Sequence, residues 1–249
     1  MISIQHISKT FNKAQATVVK ALDNVTITIN KEEFVVIVGS NGSGKSTLLN
    51  SIAGSFLCDE GKIIIDNNDV TKLQDYQRAK WLSRVFQNPL QGTAPDLSII
   101  DNFRLAALRT QKKLITVGVS NSFIKKVKDT ITTLNMGLED KINQPVGSLS
   151  GGQRQALTLL MSVMDNSKIL LLDEPTAALD PKSAATVMLT ANRLIKQLKL
   201  TAILVTHNLK EATTYGNRII QMSEGQIIKD LKKEEKEKLS ANDVFEWFQ

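Results

Sequence analysis

The sequence predicts an α/β fold: a mostly parallel sheet covered by helices, with an antiparallel β-subdomain and an inserted α-helical subdomain. Three observations predict it. Residues 34–38 form a short, wholly apolar run, the pattern of a strand buried on both faces, and it leads into a Gly-rich turn and a helix from about 45 to 53. Strand and helix signals alternate again from 169 to 206, which argues for parallel strands joined by crossover helices. Between these two stretches, from about 88 to 164, the apolar period becomes helical.

Taken in order, residues 2–29 read as antiparallel strands, with alternation in Val25-Thr26-Ile27-Thr28-Ile29. A further strand is expected at 61–65, just after Asp59-Glu60. Residues 96–107 carry Leu97, Ile100, Phe103 and Leu105 at helical spacing, with Leu108 beyond. Residues 122–134 do the same with Phe123, Val127, Ile131 and Leu134. A strand at 169–172, a helix at 182–198 and a strand at 202–206 follow. A terminal hairpin at 218–222 and 226–228 turns at Glu224-Gly225. The run 229–238 is dense in Lys and Glu and reads as a solvated helix face. Leu239, Val244, Phe245, Trp247 and Phe248 read as apolar residues that pack on their own domain. The expected organisation is one domain over 1–249, with a nucleotide-binding core at about 1–87 and 166–230. A helical insert spans about 88–165 and a C-terminal helical tail 231–249.

Composition narrows the function classes. The 249 residues, 42% hydrophobic and 22% charged, are those of an ordinary globular chain with room for a large core. Aromatic residues are only 5%, which argues against a surface on which nucleic-acid bases stack. The net charge of +6 is accounted for by solvated lysines. A single cysteine, Cys58, cannot form an internal disulfide or a multi-cysteine metal site, and follows an apolar stretch as a packed residue would. No signal peptide and no run of 18 apolar residues is expected, so any service to a membrane is rendered through a partner.

Gly39-Ser40-Asn41-Gly42-Ser43-Gly44-Lys45-Ser46, followed by Thr47, fits G-x-x-x-x-G-K-[ST] between a buried strand and a helix. Glycines let backbone N–H groups converge on phosphate oxygens, and the helix N-terminus adds a partial positive charge. Lys45 is expected to reach the β- and γ-phosphates, and Ser46 to offer its hydroxyl to Mg²⁺. Residues 169–174 form an apolar strand that ends in two carboxylates. Asp173 is expected in the Mg²⁺ environment and Glu174 as the group that polarises the attacking water. His207 follows another strand and is expected beside the γ-phosphate, whereas His6 reads as structural.

Leu149-Ser150-Gly151-Gly152-Gln153 resembles the signature motif of ATP-binding-cassette (ABC) proteins, and the other motifs occur in that family's order. The resemblance spans essentially the whole chain. It implies a P-loop NTPase (RecA-like) core, ATP and Mg²⁺ as cofactors, and ATP hydrolysis coupled to transport. It makes Phe11 the ring that stacks on adenine, in a place where the family often has Tyr. Gln87 becomes a ligand of Mg²⁺ and water, His207 a switch histidine, and Asp180 part of the segment between subunits. Ser150, Gly151, Gly152 and Gln153 of one subunit would close over nucleotide held by a second copy, so a homodimer is implied. The partners implied are membrane permease subunits and an extracytoplasmic substrate-binding protein; no nucleic acid is expected. Phe86-Gln87-Asn88-Pro89-Leu90-Gln91-Gly92-Thr93-Ala94-Pro95 and Thr206-His207-Asn208 resemble bacterial uptake systems assigned to tryptophan or related amino acids. An importer subunit at the cytoplasmic face of the membrane is therefore expected. A separate-subunit exporter and a soluble ABC ATPase stand as alternatives. The permease contact is expected in 88–102, where Leu90 and Leu97 read equally as docking residues or as core.

Overall fold

The computed structural model describes residues 2–12, 17–110, 118–165, 167–239 and 241–248. Two sheets organise it. The first, ordered β2-β1-β4-β5, is antiparallel throughout and consists of β1 (Ile2–Phe11), β2 (Val19–Ile29), β4 (Glu60–Ile65) and β5 (Asn68–Asp69). Val25, Ile27 and Ile29 of β2 are buried while Thr26 and Thr28 face solvent, so the alternation in the sequence fixes which face meets the core.

The second sheet is ordered β10-β9-β3-β8-β7-β6. Its strands are β3 (Phe34–Val38), β6 (Leu82–Val85), β7 (Ile169–Asp173), β8 (Thr201–Val205), β9 (Arg218–Ser223) and β10 (Gln226–Leu231). All neighbours are parallel except the edge pair β9–β10. β3 is central and every residue in it is buried. Period-2 geometry divides the buried strands between two cores. Val35, Ile37, Leu171, Ile203 and Val205 face the first sheet and α1 (Lys45–Ala53), whose Leu48, Leu49 and Ile52 fill the space between the sheets. Val36, Val38, Leu170, Leu172 and Leu204 face the opposite layer of helices.

That layer holds α3 (Ile99–Ala107), α4 (Asn121–Thr132), α5 (Gly151–Ser162) and α6 (Pro181–Gln197). The first three fall in the chain between β6 and β7. Short helices α2 (Asp75–Arg78), α7 (Leu209–Thr214), α8 (Lys233–Lys236) and α9 (Ala241–Phe245) complete the fold. Arg78 is fully buried and closes the end of α1, its Nη1 donating to the Ser51 and Ile52 carbonyl oxygens at 2.6 and 2.9 Å.

Two expectations need correction. The segment 88–98 is turns and not helix: Asn88 Oδ1 accepts from Leu90 N at 3.0 Å, and the buried Asn102 side chain takes backbone groups between 94 and 98. Asn102 Oδ1 accepts from Ala94 N at 2.8 Å, and Nδ2 donates to Ala94, Leu97 and Ser98 carbonyls at 3.0, 3.2 and 2.9 Å. The run 229–238 is not one solvated helix face. β10 continues through Leu231, held by Asp230 against Arg218 at 2.6 Å, and Lys236 is buried. Lys236 Nζ donates to the Tyr215 and Gly216 carbonyls, and burial pushes its pKa down to about 8. Beyond it, Val244 and Trp247 are buried in the helical-layer core, Leu239 packs against it and Phe245 is exposed. The side chain of Phe248 lies outside the described residues.

Candidate active site

Parallel register gathers the site. Ile37 of β3 pairs with Val205 of β8, and Val205 pairs with Asp173 of β7. The segments that leave these three strands, 39–44, 174–177 and 206–208, therefore emerge side by side at one sheet edge, where ligands bind in open α/β sheets.

The first segment is shaped by steric exclusion. Gly39 has φ of 148°, and a Cβ there would stand 2.2 Å from the Met222 carbonyl oxygen. A Cβ on Gly44, at φ of 99°, would stand 2.5 Å from the Ala21 carbonyl oxygen. At Gly42 nothing crowds a Cβ, so the demand there is the left-handed dihedral alone. Ser43 is buried, while Asn41 and Ser46 are exposed and Ser40 and Thr47 half-buried. Gly44 caps α1 with no side-chain acceptor, and the first turn carries no acid. The N–H groups of Lys45, Ser46 and Thr47 are thus left for an anion. Lys45 is folded over its own loop: Nζ donates to the Gly39 and Ser40 carbonyls, each at 2.8 Å, and to Ser43 Oγ at 3.3 Å. Burial lowers the pKa of this ammonium, and the charge of Glu174 opposes that shift.

Glu174 is the centre of the second segment. It adopts φ of 44°, a left-handed conformation uncommon outside glycine, and its N–H donates to the Val205 carbonyl at 2.9 Å. Its Oε2 accepts from Gln87 Nε2 at 3.2 Å and faces His207 Nδ1 at 3.1 Å. The structure thus joins Gln87, Glu174 and His207 in one hydrogen-bonded group. Asp173 is buried beside it, and its Oδ2 accepts from Arg84 Nη2 at 2.5 Å.

The oxygen donors suit a hard cation held partly by phosphates. Asp173 keeps Oδ1 for it, Gln87 keeps its carbonyl oxygen, and Ser46 presents a hydroxyl at the start of α1.

The remaining expected residues lie elsewhere in the hydrogen-bond pattern. Phe11 is half-buried at the end of β1, with the Phe56 ring edge-on at 5.3 Å and Lys9 Nζ 5.5 Å from its centroid. Asp180 caps α6, its Oδ1 accepting from Lys182 N and Ser183 N at 3.1 and 3.0 Å. The Ser183 bonds above all hold its carboxyl below the usual range. Ser150 caps α5 in a reciprocal box with Gln153, at 3.3 and 3.2 Å. Ser150 and Gly151 are exposed. Gly152 is buried, because a Cβ there would stand 2.4 Å from Ser183 Oγ. Among the described residues no hydrogen bond joins 149–153 to the 39–47 loop.

Residues 22–177 match the model of the ABC transporter family, whose description is "ABC transporter". The chain belongs to that family. It is an ABC ATPase: it binds ATP and hydrolyses it. It is 38% identical over 253 residues to a tyrosine transport ATP-binding protein of Clostridioides difficile (strain R20291), covering 100% of this chain and 99% of that one. It is 37% identical over 229 residues to a spermidine/putrescine import ATP-binding protein of Bacteroides thetaiotaomicron, covering 91% of this chain but 45% of that longer one. Among solved structures, a dimeric ATP-binding cassette in a post-hydrolysis state with ADP and Pi matches at a TM-score of 0.81 and 30% identity, covering 94% of this chain and 99% of that one. The ABC ATPase fold, with its mixed main sheet and antiparallel subdomain, is the one the sequence predicts.

Three residues of the ABC site were not singled out by the sequence reading. Arg84 of β6 pairs with Asp173, and its Nη1 also donates to Asn50 Oδ1 of α1 at 2.6 Å. Glu211 of α7 is buried and accepts from Thr176 Oγ1 at 2.5 Å and Thr206 Oγ1 at 2.6 Å, tying the segment after Glu174 to the residue before His207. Gln155 of α5 is buried and donates to the Phe86 and Pro175 carbonyls. The available signal was a charged or amide residue inside an apolar run: Arg84 within 82–86 and Gln155 on the helix side shared with Gly152, Ala156 and Leu159.

Proposed function

We propose that this ABC ATPase energises a membrane importer of amino acids or similar small solutes, and that it acts as a homodimer at the cytoplasmic face of the membrane. The observation that carries the reading is the end-to-end 38% identity with a tyrosine transport ATP-binding protein. That relative also favours the aromatic amino acids among the solutes, tryptophan included. No described helix is long and apolar enough to cross a membrane.

The site residues take the following roles. The 39–47 loop and Lys45 hold the phosphates, and Phe11 stacks on adenine. Ser46, Asp173 and Gln87 hold Mg²⁺, which when bound neutralises charge on the transferring phosphoryl group. Glu174 orients and polarises the water. His207 and Gln87 grip its Oε2, which leaves Oε1 to face the water. Ser150, Gly151, Gly152, Gln153 and Asp180 serve the nucleotide of the second copy. The exposed Ser150 and Gly151 and the dimeric state of the solved relative support that assignment.

The permease docks in a groove of about 820 Å³ between the main sheet and the helical layer, lined by Tyr76, Arg84, Phe86, Leu105 and Met161. Tyr76 and Leu105 there are 72% and 53% exposed, apolar surface suited to a partner helix. Leu90 and Leu97 are exposed as well, outside the lining of this groove. An extracytoplasmic binding protein acting through the permease selects the solute.

The test is a pull-down of tagged Glu174→Gln protein from detergent-solubilised native membranes with ATP, read by mass spectrometry. The expected recovery is a polytopic permease with a binding protein that takes tyrosine or tryptophan. Recovery of soluble or ribosomal partners alone would contradict the transport reading.

A further inference from the structure

Gln155 stands one turn into α5, three residues past Gly152, and has no exposed surface. Its Nε2 donates to the Phe86 carbonyl at 2.8 Å and to the Pro175 carbonyl at 2.9 Å. Those carbonyls adjoin Gln87 on one side and Glu174 on the other, the two residues that meet at 3.2 Å in the site. Gln155 Oε1 is buried with no hydrogen-bond partner. A buried amide left half satisfied is uncommon and calls for a reason. Here both donor hydrogens are spent on bridging two backbone segments, and the two carbonyls fix which end of the amide is nitrogen.

The same helix begins with the signature segment. Its first turn is stiff: Ser150 and Gln153 close a capping box, and Gly152 is pressed against Ser183 of α6. A tilt of α5 at its N-terminus therefore carries Gln155 with it, and with Gln155 both carbonyls.

We propose that Gln155 is a positioning residue that couples the two ATP sites of a dimer. When Ser150 and Gly151 engage the partner's nucleotide, α5 settles, and Gln155 sets the backbone on both sides of the Gln87–Glu174 contact in its own subunit. Each site is thereby readied by occupancy of the other. The inference rests on the dimer reading above.

The test uses the full chain with Gln155→Met, which keeps length and volume and removes the donors. Wild type is expected to hydrolyse ATP with a Hill coefficient approaching the number of sites, two. The variant should keep its ATP affinity and melting temperature, lose on the order of tenfold in kcat, and show no cooperativity. In a Glu174→Gln background it should still pair with Mg-ATP on gel filtration. Wild-type kcat and cooperativity in the paired variant would overturn the inference and leave the dimer standing. A parallel fall of kcat, ATP affinity and melting temperature would also overturn it, as a packing role. Hydrogen exchange on Glu174→Gln protein, with residue 155 intact, is the second measurement. ATP-driven pairing should protect the segments 86–88 and 174–177, and protection confined to 149–153 would overturn the coupling. Glu174→Gln protein that stays monomeric with Mg-ATP would overturn the dimer and the coupling together.

Discussion

The sheet edge at the ends of β3, β7 and β8 and the signature segment at the start of α5 are built from similar residues, small and polar with glycines at close approaches. They differ in what they are bonded to. At the sheet edge the functional side chains bond to the chain itself: Lys45 rests on Gly39 and Ser40, and Glu174 is held by Gln87 and His207. In the signature segment, the Ser150 and Gln153 side chains cap each other's backbone N–H groups, and Ser150 and Gly151 face solvent. The first region is a chemical site assembled by parallel strand register. The second is an exposed surface that, in the proposed dimer, a second copy completes. Gln155 shows how the two remain connected, since it ties α5 to the Phe86 and Pro175 carbonyls beside Gln87 and Glu174, while Gly152 seats the start of α5 on Ser183 of α6.

The largest effect expected from disturbing the sheet edge comes from Glu174→Gln. It removes the carboxylate proposed to polarise the water and keeps the shape, so ATP turnover should fall by about 10²–10⁴-fold while ATP binding persists, checked by steady-state hydrolysis and nucleotide titration. Disturbing the surface region should act differently. Ser150→Arg leaves every contact of the sheet edge in place, so a single chain should bind ATP normally. Hydrolysis should drop by about 10–100-fold because pairing fails. A Ser150→Arg protein with wild-type turnover would erase the contrast between the two regions.

Smaller effects sharpen it. Arg84→Met leaves the buried Asp173 carboxylate without its cation and Asn50 without its donor. A loss of ~1–3 kcal/mol in unfolding free energy is expected in denaturant titrations, since an orphaned buried charge costs more than a lost surface pair. Gly152→Ala drives a Cβ into Ser183 and should cost ~1–3 kcal/mol by the same measurement.

The smallest effect concerns the tail. Lys236 has a folded pKa of about 8, below its unfolded value of 10.5. Between those values the unfolded chain binds more protons, so this group makes stability rise as pH increases from about 8 toward 10.5. Lys236→Met should flatten that rise in melting experiments across the same window.

The sequence made the sheet-edge site legible because its parts are punctuated. An apolar strand that ends in Gly39, in Asp173-Glu174 or at His207 exposes the polar residue where the strand stops. It also exposed most strands of both sheets and the long helices, within a few residues at their ends, but not β5 or the edge strand β6. Pattern alone could not show which polar side chains turn inward. Glu211 reads as an acid in the first turn of a helix, where the dipole already favours it, yet it is buried between Thr176 and Thr206. Lys236 reads as one lysine among many, and Asn102 as a polar break in an apolar face. In each case the bonding partners come from a distant or irregular segment, and periodicity carries no record of them. The segment 88–98 departs from its helical spacing for the same reason, since its later turns are held by Asn102.

The central claim is that two copies complete each other's ATP sites. The most direct measurement is the solution mass of Glu174→Gln protein by gel filtration with light scattering, with and without Mg-ATP, beside the same protein carrying Ser150→Arg. The expected result is a monomer without nucleotide, a species of twice the chain's mass with Mg-ATP, and a return to monomer when Ser150 is replaced. A monomer under saturating Mg-ATP, or a dimer indifferent to Ser150→Arg, would contradict it.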